Sequence, residues 1–317
     1  IVRNIRKQIE QAGGEVRFKA QLTALHFENG HLTQAEITQP EPVTELIPAS
    51  RVVLACGHSA RDTFELVRDA GVRMEQKPFS VGVRIEHPQQ LINRSQYGKA
   101  ADHPALGAAD YKLSMHLRPQ KGEEQGRGVY TFCMCPGGEV GVRRQRAGRR
   151  GGQRHEPLRA RRAKRQQRAA GRRRPRGFRR RRPALRASSC SARWSGAAYR
   201  TAIAAGGEPH QAPAQTVGDF LAHQAGGPSK KVKPTYARGV AWCDLHECLP
   251  PFVARAMEQA LPQLDRRLHG FADPQAVLTG VETRSSSPVR IVRGKNMQAQ
   301  LAAASVSGCV QDEVLST

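Results

Sequence analysis

The residues best placed to do chemistry lie in a glycine turn after a short apolar run. The run at 51–55 is typical of a buried strand, and Cys56, Gly57 and His58 follow it. Glycine lets a backbone approach a cofactor, and a helix N-terminus after the turn favours phosphate groups. Ala55, Cys56, Gly57 and His58 are therefore candidate cofactor-binding residues. By spacing alone, a plain β–α turn that requires glycine explains these residues better.

A second candidate group lies in a strand-like segment further along the chain. Arg84 and Glu86 stand two residues apart, so they share one face of a strand. With His58 and His87 they form a candidate pocket. The alternative is a surface ion pair, which the residues alone favour.

A third group surrounds a serine run at 285–287. Glu282, Arg284 and Arg290 form a polar cluster there that can face a cofactor or a substrate. A hydrogen-bonded loop explains the cluster equally well. The sequence shows neither a Ser/His/Asp arrangement nor a carboxylate pair that would indicate hydrolysis.

The seven cysteines predict neither a disulfide scaffold nor a metal site. Their number is odd and no secretory signal precedes them, so reduced thiols in a cytoplasmic protein are expected. Cys133 and Cys135 form a Cys-x-Cys pair, which is a poor match to a zinc knuckle. Cys243 and Cys248 lack the close spacing of zinc-binding cysteines. Buried structural thiols are the expected role, and no metal site is predicted.

The first 71 residues show alternating helix and strand patterns. The apolar spacing in 1–12 predicts a helix, and alternation at 16–20 predicts a strand. Asn29-Gly30 indicates the turn of a β-hairpin over 21–38. A helix that ends at Gly71 follows the glycine turn. This order resembles part of an α/β dinucleotide-binding fold.

The rest of the chain is strand-rich, with one helical region. The segment 77–140 has a strand-like pattern, and 234–245 predicts another strand and turn. A helix is expected over 252–261, interrupted by Pro262. A second helical stretch is expected at 264–268.

The net charge of +24 comes almost entirely from one segment. Residues 143–193 contain 22 basic residues and one acid, a net charge of +21, which leaves +3 for the rest. Such a segment is ordinarily a solvated or nucleic-acid-binding arm. This one interrupts a folded chain, and 21 of its 22 basic residues are arginine, although lysine would contact phosphates nearly as well.

The arginine bias indicates GC-rich DNA translated in the wrong frame. Residues 164–170, back-translated and read from the second base of each codon, permit the sequence NANSALL. The wider segment permits VVNGMSLYARDGQNANSALLV, which has the composition of a globular protein. We interpret residues 141–193 as a frameshifted, disordered stretch.

Five strings carry a resemblance to a known family: RVVLACGHSARDTFE, KPFSVGVRIEHPQ, YTFCMCPGGEV, APAQTVGDFL and GVETRSSSPVRI. They resemble the FAD-dependent dehydrogenases, or NAD(P)/FAD-dependent oxidoreductases, over about 1–140 and 197–299. The restored ARDGQNANSALL is similar to the same family. The resemblance implies FAD as cofactor, possible use of NAD(P), and a redox reaction on a small-molecule substrate of unknown identity.

The resemblance and the patterns together predict an α/β fold with four regions. A partial Rossmann-like FAD/NAD(P)-binding domain takes 1–76, and an inserted β-rich substrate domain takes 77–140 and 197–280. The basic low-complexity segment takes 141–196. Residues 281–317 begin the return to the FAD domain and then diverge.

Several expected cofactor motifs are missing from the printed sequence. It has no Gly-x-Gly-x-x-Gly turn for a pyrophosphate, and the chain begins at Ile1 rather than at Met, so we expect an internal fragment. After about Gln298 it departs from the glycine-rich segment that the family uses to contact flavin. The chain as printed is therefore expected to bind FAD weakly or not at all and to be inactive.

Two other functions stay open. One is nucleic-acid binding through 143–193, although Phe178 is the single aromatic there and single-strand binders stack bases on aromatic rings. Such binding is expected to be non-specific. The other is a structural remnant without activity. No apolar run approaches the roughly 18 residues that span a bilayer, so no membrane role is expected.

Overall fold

The structure is a computed structural model and is mixed α/β with several sheets. It describes residues 1–40, 43–57, 60–119, 126–132, 134–138, 140, 158–161, 183–283, 287–300, 307–308 and 310–312. The chain divides into two compact units. The first consists of Ile1–Glu75 and Arg290–Thr317, and the second of Gln76–Val289.

The first unit opens with helix α1 (Val2–Gln11) and a three-stranded antiparallel sheet. Its strands are β1 (Gln21–Glu28), β2 (His31–Thr38) and β3 (Thr44–Pro48). The predicted hairpin is confirmed, and its turn residues Asn29 and Gly30 both have positive φ.

The strand predicted over 16–20 is wrong, because no strand begins before Gln21. Lys19 has φ of 56°, a left-handed conformation that breaks an extended backbone at that point.

The remainder of the first unit holds the predicted glycine turn. Strand β4 (Val52–Leu54) leads into it, and helix α2 (Arg61–Asp69) follows. Phe64 and Val67 are the buried residues of α2, and Val67 packs in a small core with Leu54. The chain leaves through β5 (Met74–Gln76) and returns through β13 (Val289–Ile291), which pair. Three short strands follow: β14 (Ala299–Gln300), β15 (Ser307–Gly308) and β16 (Val310–Asp312).

The second unit is built on a seven-stranded sheet with the order β11-β10-β12-β6-β9-β8-β7. Only the β10–β11 pair is parallel among the described ladders of this sheet. The strands are β6 (Ser80–Glu86), β7 (Ser114–His116), β8 (Gly128–Thr131), β9 (Leu158–Arg161), β10 (Ala212–Thr216), β11 (Val240–Trp242) and β12 (Val277–Glu282).

Among the described residues of this unit, four helices accompany the sheet: α3 (Gln89–Tyr97), α4 (Pro183–Ala204), α5 (Val217–Leu221) and α6 (Pro251–Asp265). Short 3-10 turns cover Gly98–Ala100 and Leu245–Glu247. The core joins strand residues such as Val83 to the apolar face of α6, including Met257 and Leu261. Among the described residues, no helix has both the length and the apolar composition needed to cross a bilayer.

Helix α6 corrects the predicted break at Pro262. The helix begins at Pro251 and runs through Pro262 to Asp265, so one helix replaces the two predicted stretches. Proline removes one backbone donor and strains a helix, at a cost of about 3 kcal/mol. Burial of Leu261 and Leu264 on either side of Pro262 offsets that cost, since each fully buried leucine contributes about 1.5–3 kcal/mol.

Two elements lie inside the segment that the sequence predicts to be disordered. Strand β9 pairs with β6 and β8, and α4 begins at Pro183. The prediction of disorder is therefore not confirmed for these residues, and Pro183 suits the first position of a helix. The other residues of 141–182 lie outside the described part of the chain.

Candidate active site

A cavity of about 180 Å³ lies at the carboxyl end of β6 in the second unit. We call it the β6 cavity. Its walls come from the end of β6, the start of α3, the glycine loop near Gly137 and the chain near Thr235. Arg84 and Glu86 both line it, so the structure places together the two pocket residues predicted from their spacing.

Arg84 is held in the wall of the cavity by a buried ion pair. Its guanidinium lies 3.4 Å from a carboxylate oxygen of Glu282, and both side chains are 5% exposed. Burial lowers the pKa of Arg84, and the charge of Glu282 opposes this shift. Arg84 of the second candidate group is therefore paired with Glu282 of the third. Loss of either partner would leave an uncompensated buried charge, which typically costs about 3–5 kcal/mol.

Glu86 presents one carboxylate oxygen with a full set of partners and one without. Its Oε1 accepts hydrogen bonds from the backbone N–H of Thr235 at 3.0 Å and from the Thr235 hydroxyl at 2.6 Å. Its Oε2 is buried and has no hydrogen-bond partner among the described residues. Burial raises the pKa of Glu86, against the hydrogen bonds from Thr235 and the charge of Arg84. A carboxyl of this kind is suited to exchanging a proton with a bound molecule.

His87 forms a neutral part of the same wall. Its Nε2 lies 2.7 Å from the carbonyl oxygen of Phe271, so Nε2–H donates to that oxygen. Its ring packs against Tyr111 and Phe271, which also contact each other. Burial lowers the pKa of His87, which keeps the imidazole neutral.

Two of the described hydrogen bonds tie the glycine loop to the rest of the cavity. Gly137 has φ of 64° and donates its N–H to Gln89 Oε1 at 3.0 Å. The Val140 N–H donates to the Thr235 hydroxyl at 2.7 Å. Thr235 therefore links this loop to Glu86, a role that no local sequence pattern indicates.

The cysteines divide by position. Cys243 and Cys248 are buried, as expected for structural thiols, and burial raises the pKa of Cys243 to about 11. Cys135 is exposed and lines the β6 cavity, so the buried role is wrong for it. The turn of Cys135 through Gly138 carries it to the surface. Cys133 lies outside the described residues.

The predicted cofactor turn lies in the first unit. Ala55, Cys56 and Gly57 follow β4, which pairs in parallel with β16. Gly57 has φ of 68°, and a side chain there would meet no atom within 4 Å. The turn therefore requires glycine and leaves its backbone open to approach. His58 lies outside the described residues.

Two predicted pocket residues, Arg284 and Arg290, are left to place. Arg290 is not among the described residues that line the β6 cavity. Arg290 belongs to the first unit, where it is 57% exposed and pairs with Glu75 at 2.8 Å. Arg284 lies outside the described residues.

Comparison with known proteins identifies the family to which the second unit is similar. A family model described as "FAD-dependent protein, C-terminal domain-like" matches residues 78–148 and 185–285, which together are more than half of the chain. Every described residue that lines the β6 cavity falls within these two ranges.

A protein of Clostridium beijerinckii, named only as uncharacterized, is 37% identical over 300 residues. The alignment covers 94% of this chain and 53% of the relative, so the chain spans about half the length of the relative it matches. The match to the family model over more than half of its residues shows that the chain belongs to the family of FAD-dependent proteins that share this C-terminal domain.

Proposed function

We propose that this chain is part of an FAD-dependent oxidoreductase and that the β6 cavity receives its small-molecule substrate. The observation that carries the proposal is the position of the cavity, which lies wholly within the residues matched by the FAD-dependent family. Bound FAD would supply the redox chemistry, and NAD(P) is a candidate source of electrons.

The residues of the cavity suit a small polar substrate. Arg84 and the exposed Lys233 bring positive charge to its walls, and Glu86 Oε2 offers an acceptor without a partner. In the proposed reaction Glu86 would hold or take up a proton at Oε2 while Thr235 fixes Oε1. His87, being neutral, would add no positive charge to those of Arg84 and Lys233.

The turn at Ala55, Cys56 and Gly57 fits a cofactor that approaches the backbone. The space beside Gly57 is open, and α2 begins at Arg61 without a side-chain cap. A helix start of this kind suits a phosphate group. These residues of the first unit are therefore the ones we propose to contact FAD.

We further propose that the basic segment results from a frameshift. The family model matches on both sides of 149–184 and passes over that range, which lies inside the predicted 141–193. An alternate frame with a globular composition over the same residues supports this. The printed chain would then lack part of the functional protein.

The test begins with resequencing the gene across codons 135–200. Two proteins are then expressed: the printed chain, which has the sequence with the arginine-rich segment, and the frame-restored protein, in which the alternate frame replaces that segment. After reconstitution with FAD, the frame-restored protein should carry more flavin per polypeptide, measured from the flavin absorbance band. Failure of both proteins to bind flavin would overturn the proposed function. Stoichiometric flavin in the printed chain would instead show that the expectation of weak binding is wrong.

A further inference from the structure

Three metal-ligating side chains meet in the second unit, away from the residues that line the β6 cavity. His223 follows α5, His246 lies in the 3-10 turn Leu245–Glu247, and Glu258 lies on α6. Their potential ligand atoms all lie within 4.8 Å of one another. We propose that these residues bind a zinc ion, and this proposal does not depend on the proposed flavin chemistry.

The distances are close to those that a tetrahedral zinc site requires. His246 Nε2 lies 2.9 Å and His223 Nε2 lies 3.5 Å from Glu258 Oε1. Ligand atoms at the usual 2.0–2.1 Å from one zinc ion are about 3.3–3.4 Å apart. The His223–Glu258 separation is within about 0.2 Å of this spacing, whereas the His246–Glu258 separation is a hydrogen-bond distance and has to open by about 0.4–0.5 Å when an ion binds. The His223 side chain is 61% exposed and has room to move.

A fourth residue orients the central ligand. Asp244 Oδ1 lies 2.6 Å from His246 Nδ1 and also accepts the backbone N–H of His246 at 2.9 Å. An Nδ1–H that donates to Asp244 leaves the Nε2 lone pair directed at the site. Metal-binding histidines are almost always held in this way by a carboxylate or a carbonyl group.

Packing holds the two imidazole rings face to face, with 22° between their planes. Since an imidazole nitrogen binds a metal ion near its own ring plane, zinc binding requires the exposed His223 ring to rotate out of this stack. Phe220 stacks on the His246 ring at a centroid distance of 4.4 Å, and the His223 ring stacks on the same ring at 4.4 Å. His223 has φ of 54° immediately beyond the end of α5, a position that glycine usually takes. The conformation turns the chain so that the imidazole lies against His246.

The arrangement suits zinc with an open coordination position. Two imidazole nitrogens and one carboxylate oxygen are ligand types that zinc accepts, and three protein ligands leave a fourth place for water. Since the ligands come from three separate elements, the ion would also link α5, the 3-10 turn and α6. Binding should therefore stabilise the folded state.

The competing explanation needs no metal. A protonated His246 can bridge Asp244 and Glu258 as an ion-pair network, in which case His223 adds only ring stacking. The two explanations differ in what removal of His223 does, because His223 is a ligand in the first and a bystander in the second.

The test is calorimetric titration of the chelator-treated protein with Zn²⁺, with Co²⁺ absorption as a second probe. We expect one high-affinity equivalent, a tetrahedral Co²⁺ spectrum and a higher unfolding temperature with zinc. His223→Asn, which tolerates positive φ, should weaken Zn²⁺ binding by more than about 100-fold, and Asp244→Asn by about 10- to 100-fold. The matched control is His269→Gln, an exposed histidine outside the cluster.

Glu258→Gln provides an independent check, with circular dichroism to verify that the variant is folded. It should lose Zn²⁺ binding and keep the unfolding temperature that the metal-free protein shows, to within a few degrees. The proposal is overturned if the unmodified protein binds no zinc, or if His223→Asn binds Zn²⁺ with unchanged affinity.

Discussion

Glu86 combines burial, one satisfied oxygen and one oxygen without a described partner. A carboxyl group that is harder to ionise in the folded chain than in the unfolded chain binds more protons when folded over the pH range between its two pKa values. Stability then falls as pH rises through that range. For Glu86 the range starts at the ordinary value of 4.5 and extends upward, because burial raises the folded pKa.

We expect Glu86→Gln to remove this dependence. The free energy of unfolding of the variant, relative to the unmodified chain, should increase as pH rises above about 4.5 and then level off. Denaturant unfolding of both proteins at a series of pH values measures the difference. Glu208→Gln, at an exposed glutamate of the same unit, should show no such trend. A flat difference for Glu86→Gln would mean that the pKa of Glu86 is not raised.

At the residue scale, the spacing of residues in the sequence predicts which side chains share a face of one strand, but not which side chains of other elements they contact. Arg84 and Glu86 stand two apart, and that alone placed them on one wall. Their partners come from distant parts of the chain, since Thr235 is 149 residues from Glu86 and Glu282 is 198 residues from Arg84. No pattern in a single sequence indicates contacts of that range, because they depend on how the strands pair.

At the scale of elements, α5 depends on one cap. It is a helix of five residues, too short to be stable by itself, and Thr216 precedes it. The Thr216 hydroxyl accepts the N–H of Asp219 at 3.1 Å and donates to Asp219 Oδ2 at 2.8 Å. This helix leads directly into His223.

Thr216→Ala should lower the free energy of unfolding by about 0.5–2 kcal/mol, the usual cost of losing an N-cap hydroxyl. Thr216→Ser keeps the hydroxyl and removes one buried methyl group, so it should cost no more than about 0.8 kcal/mol. Chemical denaturation followed by circular dichroism checks both values. Equal losses in the two variants would show that packing of the methyl group, rather than the cap, stabilises α5.

Elements with strong local signals could be predicted, and elements decided by tertiary packing could not. The β1–β2 hairpin follows from Asn29 and Gly30, whose positive φ values the turn requires. The continuity of α6 through Pro262 does not follow from propensity, since local rules break a helix at proline. It depends on the buried contacts of Leu261 and Leu264, which exist only in the folded unit.

At the scale of the whole molecule, the sheet of the second unit takes strands from Ser80 to Glu282. Its order could not be predicted from the sequence, because adjacent strands are often far apart in the chain. The α/β class could be predicted, because helix and strand patterns alternate. Between β8 and α4 the printed sequence carries most of the charge of the molecule, in a chain that is otherwise close to neutral.

That charge leads to a prediction about the origin of the basic segment. The printed residues 143–193 carry a net charge of +21, whereas the alternate frame VVNGMSLYARDGQNANSALLV contains one Arg and one Asp. The printed chain should therefore bind duplex DNA and heparin without sequence preference. Its affinity should fall by about 1,000-fold or more between 50 and 200 mM salt, as expected for six or more phosphate contacts.

The frame-restored protein should lose this binding, because the positive segment is replaced by a nearly neutral one. Fluorescence anisotropy with two unrelated duplexes, across a salt series, compares the two proteins directly. Equal binding by both proteins would locate the polyanion site outside the basic segment and contradict the prediction. Sequence-selective binding by the printed chain that persists at 200 mM salt would instead favour an evolved nucleic-acid-binding arm, since counterion release alone cannot distinguish one sequence from another.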